Sequence, residues 1–417
     1  MSMTVLHKTC AGLDVHAAFV TACVRTTRRR KVFYDEARFE TTTRDLLALS
    51  AWLEAHRVGH VIMEATGVYW KPVWHILEPS FKLQLANAHE ARNLPGRKSD
   101  VGDARWLSDL LAHGLVRASF VPPEPIRALR DLTRTRQQLM RQIVQQENRI
   151  GKVLEDANIK LVTVVSDLLG VTSRRILDAM VAGETDPVAL AALAGRRLKA
   201  SPGDLAAALE GRFTRHHAFL VREHLAMIDH IGQQIMRFET EVEALLAPFR
   251  TTIGDIIVIP GVKRRAAAAI VAEIGLDMSC FPSAGHLLSW ARLVPRQDQT
   301  GGKTRSTRVK QGGAWLKPLL VQCAWAAART KDTYLSRQFA SIAAKRGAKK
   351  AVMAVAGSIL TAIYHMIRDR VPYRPPAPKS PAAVTAQKAN RFAANIRALG
   401  FTVHITPAAA PPQFLSE

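Results

Sequence analysis

The chain is short of acidic residues. Its 417 residues contain 35 Asp and Glu against 58 Lys and Arg, so the formal net charge at pH 7 is +23. This excess of cations disfavours a positively charged ligand and favours a polyanion. Nucleic acid is the leading partner, because Lys and Arg that neutralise phosphates supply most non-specific affinity. The alternative is a basic surface that serves solubility alone.

Cysteine and long apolar runs are also scarce. The four cysteines show neither a CxxC spacing nor a His partner at metal-ligand spacing: Cys10, Cys23, Cys280 and Cys323. We expect reduced, mostly buried thiols rather than a disulfide framework or a zinc site. No apolar run reaches the roughly 18 residues of a membrane helix, and residues 1–9 lack the hydrophobic core of a signal peptide. A cytoplasmic protein without membrane contact is expected.

Apolar residues are plentiful enough to build sizeable cores, since 48% of the chain is hydrophobic and only 22% is charged. The length favours two or three domains. Changes in composition divide the chain into four regions. We predict a first domain at 1–122, a helical connector at 123–250 with a small helical insertion near 160–225, a third domain at 251–373, and a flexible Pro/Ala-rich tail at 374–417.

The first domain alternates strand and helix patterns. Strands are predicted at 8–24, 30–40, 60–66 and 81–87, and helices at 46–56 and 68–77. The second strand would follow an antiparallel turn through the basic residues 26–31. Strands that alternate with helices predict an α/β sheet.

Two apolar repeats dominate the connector. The first follows a heptad spacing through Leu132, Leu139, Ile143, Ile150 and Leu154, and the second runs from Ile228 to Leu245 in steps of three and four. Both are typical of coiled-coil seams. Three arrangements remain open: an antiparallel hairpin within the chain, a contact between subunits, or helices packed in an ordinary bundle.

The third domain opens with IIVIPGVKRRAAAAIVAEIG at 256–275, which predicts a helix, a Pro-Gly turn and a second helix. This pattern is typical of a helix-hairpin-helix, whose turn amides suit a phosphate. The three cations directly after the turn favour nucleic-acid binding: Lys263, Arg264 and Arg265. A plain helical hairpin is the alternative.

Four carboxylates point to a metal site. Asp14 ends the apolar half of the first strand, Glu64 ends a later strand, and Asp100 and Asp103 share one helix face through their i, i+3 spacing. Together they would repel one another unless a divalent cation neutralised them. Carboxylate oxygens suit Mg²⁺ or Mn²⁺, and two such ions about 4 Å apart catalyse phosphodiester displacement. Taken singly, each residue could be a cap or turn residue, and Asp109 is interpreted as an ordinary surface residue.

The order of these motifs resembles that of a known family. GLDVH at 12–16, MEATGVYW at 63–70 and NLPGRKSDVGDARWLSDLL at 93–111 are similar to the amino-terminal part of DEDD-type insertion-sequence transposases, relatives of the Piv DNA invertases. IPGVKRRAAAAIVAEIG at 259–275 and LVPRQDQTGGKTRSTRVKQGGAWLKPLL at 293–320 are similar to the family's second conserved domain.

The resemblance implies a fold and a chemistry. The fold would be an α/β ribonuclease-H-like (RuvC-like) domain, then an α-helical coiled-coil connector and a mainly helical carboxy-terminal domain. The metal ligands would be Asp14, Glu64, Asp100 and Asp103. The partners would be DNA and an element-encoded bridge RNA, which in better-studied members of the family chooses the target and donor DNA.

One position departs from the family pattern. Where the family has a serine, the proposed nucleophile, this chain has Thr300. Threonine keeps the hydroxyl but carries an extra methyl that stiffens χ1 and crowds the oxygen. Ser306 is a possible substitute without motif support. Five nearby cations are expected to bind DNA phosphates: Lys303, Arg305, Arg308, Lys310 and Lys317.

The leading interpretation is a transposase that cleaves and exchanges DNA strands with Mg²⁺ or Mn²⁺. The carboxylates and the hydroxyl are far apart in sequence, so the active site would be composite, within one chain or between subunits of a dimer or tetramer. Two alternatives remain. One is a metal-dependent, structure-selective nuclease that uses water as nucleophile, and the other is a non-catalytic nucleic-acid-binding relic.

Overall fold

The computed structural model describes residues 4–29, 31–64, 67–86, 103–116, 118–196, 198–295, 298–301, 303–306, 308–309, 312–377 and 381–406. It divides into two compact units, Met1–Pro123 and Glu124–Glu417. Each unit is described by itself. The finer division of the chain at residues 250 and 373 remains a prediction.

The first unit is built on a mixed six-stranded sheet in the order β3-β2-β1-β4-β5-β6. Its strands are β1 (Thr9–Val15), β2 (Phe19–Arg28), β3 (Lys31–Glu40), β4 (His60–Glu64), β5 (Lys82–Ala86) and β6 (Ala118–Ser119). The first three strands form an antiparallel meander, whereas β4 runs parallel to both β1 and β5. This mixed sheet agrees with the ribonuclease-H-like expectation.

The prediction of one strand over residues 8–24 was wrong. The chain reverses at residues 16–18, where the amide of His16 donates to the carbonyl of Phe19 across 2.9 Å. β1 and β2 are therefore two antiparallel strands that pair from Thr9–Thr26 to Val15–Val20. The reversal contains no glycine, proline or asparagine, so the sequence carries no turn signal there.

Helices cover both faces of this sheet. Helices α1 (Thr43–Ala55) and α2 (Trp70–Leu77) pack on one face, and α3 (Asp103–Ala112) packs on the other. Alternation along β1 assigns the faces, because Ala11, Leu13 and Val15 belong to the core beneath α1 and α2. Cys10 instead joins Leu107 and Leu111 in the core beneath α3.

The second unit is mainly helical. Its helices are α4 (Glu124–Asp156), α5 (Leu161–Val164), α6 (Val171–Ala182), α7 (Pro187–Ala192), α8 (Pro202–Leu209), α9 (Arg215–Leu245), α10 (Arg250–Ile256), α11 (Arg264–Ile274), α12 (Ala284–Trp290), α13 (Leu316–Arg329), α14 (Tyr334–Arg346), α15 (Ala348–Asp369) and α16 (Pro381–Ala398). Two short 3₁₀ helices, Ala247–Phe249 and Met278–Cys280, and a hairpin of β7 (Asp298–Thr300) and β8 (Lys303–Ser306) complete it.

The two long helices α4 and α9 lie antiparallel. Arg136 near the start of α4 pairs with Glu239 near the end of α9, and Asp156 at the end of α4 contacts His217 near the start of α9. Leu139 packs with Ile231 and Ile235 between these two ends. The intramolecular hairpin is thus observed, while a regular coiled-coil geometry remains a prediction. Four short helices, α5 to α8, form the insertion at one end.

The predicted Pro-Gly turn links α10 to α11 and packs against α13. Gly261 has φ +85°, and a Cβ there would lie 2.3 Å from the carbonyl oxygen of Cys323 and 2.5 Å from the amide nitrogen of Ala327. Only glycine permits this approach and this conformation. The turn therefore has a structural role within the unit, and its binding of a phosphate remains a prediction.

One helix lies where the sequence indicated a flexible tail, and another has the composition of a membrane span. Helix α16 occupies part of the tail that we expected to be a flexible extension. Helix α15 is, among the described helices, the one long and apolar enough to cross a membrane by composition, with half of that window buried. Its buried residues include Val355, Ile359 and Ile363, as in the core helix of a globular unit.

Candidate active site

Asp14 and Glu64 lie at the same edge of the sheet. Strands β1 and β4 are parallel neighbours, with Leu13 opposite Met63. The next residue of each strand is a carboxylate, and Glu64 is the last residue of β4. The carboxyl ends of parallel neighbours present their side chains together. The register therefore places the two acidic positions level with each other.

Helix α3 begins with a third carboxylate and runs towards this edge at its amino-terminal end. Gly12 lies directly beneath the helix: a Cβ at that position would sit 2.1 Å from the carbonyl oxygen of Ala104 and 2.6 Å from the amide nitrogen of Ser108. Two residues earlier on β1, the Cys10 thiol donates to the carbonyl of Ser108 at 3.4 Å. The helix thus runs opposite to β1, so Asp103, its first residue, lies towards Asp14. Asp100 lies outside the described residues.

The side chains of α3 that face the sheet recur at helical spacing. Ala104, Leu107 and Leu111 are buried on this face. Because Gly12 and Asp14 are two residues apart on a strand, they face the same side of the sheet. Asp14 therefore projects from the face that α3 covers, and Gly12 sets the distance between helix and strand.

The carboxylate of Asp14 has a nearby imidazole. Nε2 of His16 lies 2.9 Å from Oδ2 of Asp14, and the His16 ring packs on Phe19 with centroids 4.5 Å apart. The side chain of Asp14 is 27% exposed. Within GLDVH, the histidine was visible in the sequence but was given no role. Its position beside a candidate ligand makes it a residue that orients this carboxylate.

Asp109 is not an ordinary surface residue, and that interpretation was wrong. Its Oδ1 accepts hydrogen bonds from Nε of Arg25 at 2.7 Å and from the hydroxyl of Tyr34 at 2.8 Å. The Arg25 side chain is 3% exposed. Arg105 stacks over the Tyr34 ring at 3.7 Å. These contacts join α3 to β2 and β3. The sequence feature that could have indicated them is Arg25, a lone charged residue among the buried residues of β2.

The acidic residues have the type of donor atom that a divalent metal ion binds. Asp14, Glu64 and Asp103 offer carboxylate oxygens, the donors that Mg²⁺ and Mn²⁺ prefer. Among the residues that the structure describes, no group of three or more His, Cys, Asp and Glu side chains could hold a metal ion. The fourth expected ligand, Asp100, is not among them, so the metal site remains a prediction.

All four cysteines are free thiols, and Cys10, Cys23 and Cys323 are buried. Burial raises the pKa of Cys10 and of Cys323 to about 11 and that of Cys23 to about 12. These groups therefore stay protonated at neutral pH, which agrees with the expected reduced, buried thiols.

Thr300 lies at the tip of a hairpin in the second unit. It is the last residue of β7 and pairs with Lys303 of β8. Gly301, in the connecting turn, has φ +57° and open space around its Cα. Thr300 and Lys303 therefore flank the turn of this hairpin.

Ser306, the substitute nucleophile, has a local structural role at the other end of the hairpin. Its Oγ accepts a hydrogen bond from the amide of Arg308 at 3.2 Å. Such a bond stabilises the turn after a strand. This contact gives Ser306 a reason to be polar that does not involve catalysis.

The predicted nucleic-acid-binding cations fall into three groups. Arg264 is paired with both carboxylate oxygens of Glu243, and Arg265 donates to Oε2 of Glu239 at 2.9 Å. These two are engaged within the protein. Lys263, Lys303 and Arg308 are exposed, and Lys317 is half-buried. Lys310 and the side chain of Arg305 lie outside the described residues.

Comparison with known proteins places the chain in a family. Residues 11–159 match a family model described as Transposase, of the DEDD IS110 type, and residues 256–340 match one described as Transposase IS116/IS110/IS902 family. A curated relative from Pseudomonas aeruginosa, "Probable family 20 transposase", is 25% identical over 321 residues, which cover 76% of this chain and 86% of the relative. The first match contains the carboxylates of the sheet edge, and the second contains the Thr300 hairpin. The chain therefore belongs to the IS110-type family of insertion-sequence transposases.

Proposed function

We propose that this transposase cleaves and rejoins DNA strands with a carboxylate-bound Mg²⁺ or Mn²⁺, and that an element-encoded RNA guides it. The observation that carries the proposal is the placement of Asp14 and Glu64 side by side at one sheet edge, with Asp103 at the start of the helix above them. Family membership supports DNA as the substrate.

The carboxylates would hold the metal. Asp14 and Glu64 approach it from the sheet and Asp103 from the helix, with Asp100 as the fourth expected ligand. When bound, the metal would polarise the scissile phosphate and lower the pKa of an attacking hydroxyl. Gly12 and the Arg25–Asp109 pair would fix α3, because the ligands come from two elements that must keep a constant separation.

Thr300 would supply the nucleophile. Attack of its hydroxyl oxygen on phosphorus forms a bond between phosphorus and the protein and breaks one bond between phosphorus and a DNA oxygen. The departing DNA oxygen takes up a proton, and the threonine loses one. The resulting phosphodiester link conserves the number of ester bonds, so a second DNA hydroxyl can reverse the step on a new strand.

The carboxylates belong to the first unit and the hydroxyl to the second. The proposed assembly is a dimer or tetramer. The exposed cations Lys263, Lys303 and Arg308 are suited to the phosphates on either side of the cleaved bond. A cytoplasmic location accompanies this function.

Covalent trapping tests the proposal. Protein is incubated with labelled DNA, Mg²⁺ and the transcribed non-coding flank of the gene, and adducts are resolved by denaturing electrophoresis. The parent and Thr300→Ser should form a protein–DNA adduct, Thr300→Ala should form none, and Ser306→Ala should behave like the parent.

Other outcomes identify the two alternatives. Nicking by the parent without any adduct would indicate a nuclease that uses water. Binding without nicking or adduct would indicate a non-catalytic relic. Formation of the adduct by Thr300→Ala but not by Ser306→Ala would transfer the nucleophile to Ser306.

A further inference from the structure

The turn between α14 and α15 carries four cations within six residues: Lys345, Arg346, Lys349 and Lys350. All four are exposed, and Gly347 between them has φ +82° with nothing near its Cα. No described carboxylate forms an ion pair with any of them. This basic turn, defined as residues 345–350, lies outside the cations that the sequence motifs indicated.

The local sequence offers no acidic residue to neutralise it. Between Asp332 and Asp369 the chain contains neither Asp nor Glu. Elsewhere in the same unit, arginines are engaged by carboxylates of neighbouring helices. Arg134 donates to both oxygens of the buried Glu273 at 2.6 and 2.7 Å. Ion pairs therefore join helices in this unit, whereas the cations of the basic turn form no ion pair with a described carboxylate.

Helix stability does not explain the turn. Lys345 and Arg346 are in the last turn of α14, where a cation interacts favourably with the helix dipole. Lys349 and Lys350 are in the first turn of α15, where the dipole repels a cation. Four neighbouring cations also repel one another. Two of the four charges thus act against the stability of the fold, which is expected where a ligand supplies the missing negative charge.

We propose that the basic turn binds the phosphate backbone of a nucleic acid. The proposal rests on the proposed function, which makes DNA and RNA the available polyanions. A row of phosphates fits the observations because it presents several negative charges along a short length and needs no pocket. The contact would position nucleic acid without reading its sequence.

The test measures affinity against salt concentration with the full chain. The variant carries Lys345→Gln, Arg346→Gln, Lys349→Gln and Lys350→Gln. The control removes four exposed cations elsewhere in the second unit through Lys152→Gln, Arg175→Gln, Arg212→Gln and Arg215→Gln. Both proteins lose the same net charge, so a difference between them reports position rather than total charge.

The probes are a DNA duplex of arbitrary sequence and a single-stranded RNA of equal length. If all four cations contact phosphates, the slope of log K against log salt should fall by about 3.6 on the duplex or about 2.8 on the single strand. The probe on which the slope falls identifies the partner. The control variant should keep the slope of the parent on both probes.

A thermal melt separates a binding role from a folding role. Lys349→Gln with Lys350→Gln should keep or raise the melting temperature while weakening binding, since these charges oppose the helix dipole. Equal slopes for the variant and the control would overturn the proposal for the basic turn. A parent with a flat salt dependence on both probes would instead contradict the proposed function itself.

Discussion

Nε of Arg25 donates a hydrogen bond to Oδ1 of Asp109 across 2.7 Å, although the two residues are 84 positions apart in the chain. The guanidinium is 3% exposed, whereas the carboxylate is 30% exposed. Nη1 of Arg25 also donates a hydrogen bond to the hydroxyl of Thr27 at 2.8 Å. This pair connects the middle of the sheet to α3, the helix that begins with Asp103, so it links the stability of the first unit to the geometry of the candidate site.

Removing Arg25 and removing Asp109 should lower the free energy of unfolding by different amounts. Asp109→Leu leaves a buried cation with only a hydroxyl partner, which should lower the free energy of unfolding by about 3 kcal/mol. Arg25→Met leaves a carboxylate that water can reach and that keeps the Tyr34 hydroxyl, which should cost about 1 kcal/mol. Urea unfolding of both variants and of the double variant measures the difference. A larger cost for Arg25→Met would contradict the assignment of the buried charge.

Gly12→Ala should displace α3. The added methyl would meet the backbone of Ala104 and Ser108, at 2.1 and 2.6 Å, and backbone cannot rotate away. Overpacking of this kind costs about 1–3 kcal/mol, and the shift would move Asp103 away from Asp14. We expect lower stability and loss of DNA cleavage, measured by urea unfolding and by a nicking assay.

Gly59→Ala is the matched control for this change. Gly59 is exposed in the same unit, and a Cβ there meets nothing within 4 Å. The control should keep both stability and cleavage. If Gly12→Ala retained the activity of the control, the close approach of α3 would have no bearing on the active site.

Local patterns predicted most of the fold, because they depend on residues close together in sequence. Alternation located β3, β4 and β5 but merged β1 with β2, and the helical period located both the buried face of α3 and the two long helices. Strands that alternate with helices indicate a mostly parallel or mixed sheet, so two carboxylates at strand ends could be expected at one edge.

Contacts between distant residues could not be predicted in this way. The pairing of Arg25 with Asp109 joins two elements whose separate sequences indicate only a strand and a helix. In the same way, KRR at 263–265 is typical of a nucleic-acid contact, yet Arg264 and Arg265 are engaged by Glu243 and Glu239. The charge of a segment does not reveal which opposite charges fold against it.

Asp14→Asn should separate catalysis from binding. The substitution keeps the shape of the side chain but removes a negative charge from the site that would hold the metal. We expect cleavage to fall by at least about 100-fold, as when one stabiliser of a transition state is lost. Affinity for nucleic acid should stay within about tenfold, or 1.4 kcal/mol, because exposed cations supply it.

Asp35→Asn is the control, since Asp35 is an exposed acidic residue in the middle of β3, away from the carboxyl ends of β1 and β4. It should retain cleavage. Simultaneous loss of binding and cleavage in Asp14→Asn would show that the acidic edge takes part in holding the nucleic acid.

The stability of the first unit should depend on pH through His56. Its Nδ1 lies 2.8 Å from the carbonyl oxygen of Trp52, and its Nε2 lies 2.7 Å from Oδ2 of Asp35. The Trp52 carbonyl is the larger cause of a raised pKa, burial opposes it, and the Asp35 carboxylate adds to it. The imidazolium is therefore favoured in the folded state.

A raised pKa fixes the sign of the effect. The stabilisation from His56 is fully present below the pKa of an unfolded histidine, about 6.5, and is lost as the pH rises through the higher folded value. The difference in unfolding free energy between the parent and His56→Gln should be larger at about pH 5 than at about pH 8. Taking this difference removes the contribution of His60, whose pKa is lowered by burial and by nearby cations and whose effect has the opposite sign.

Asp35→Asn should reduce the rise in the pKa of His56 without abolishing it, because the Trp52 carbonyl remains. The His56 ring resonances in an NMR titration report this pKa directly. A parent-minus-variant difference that grew with rising pH would show that the folded state favours the neutral ring.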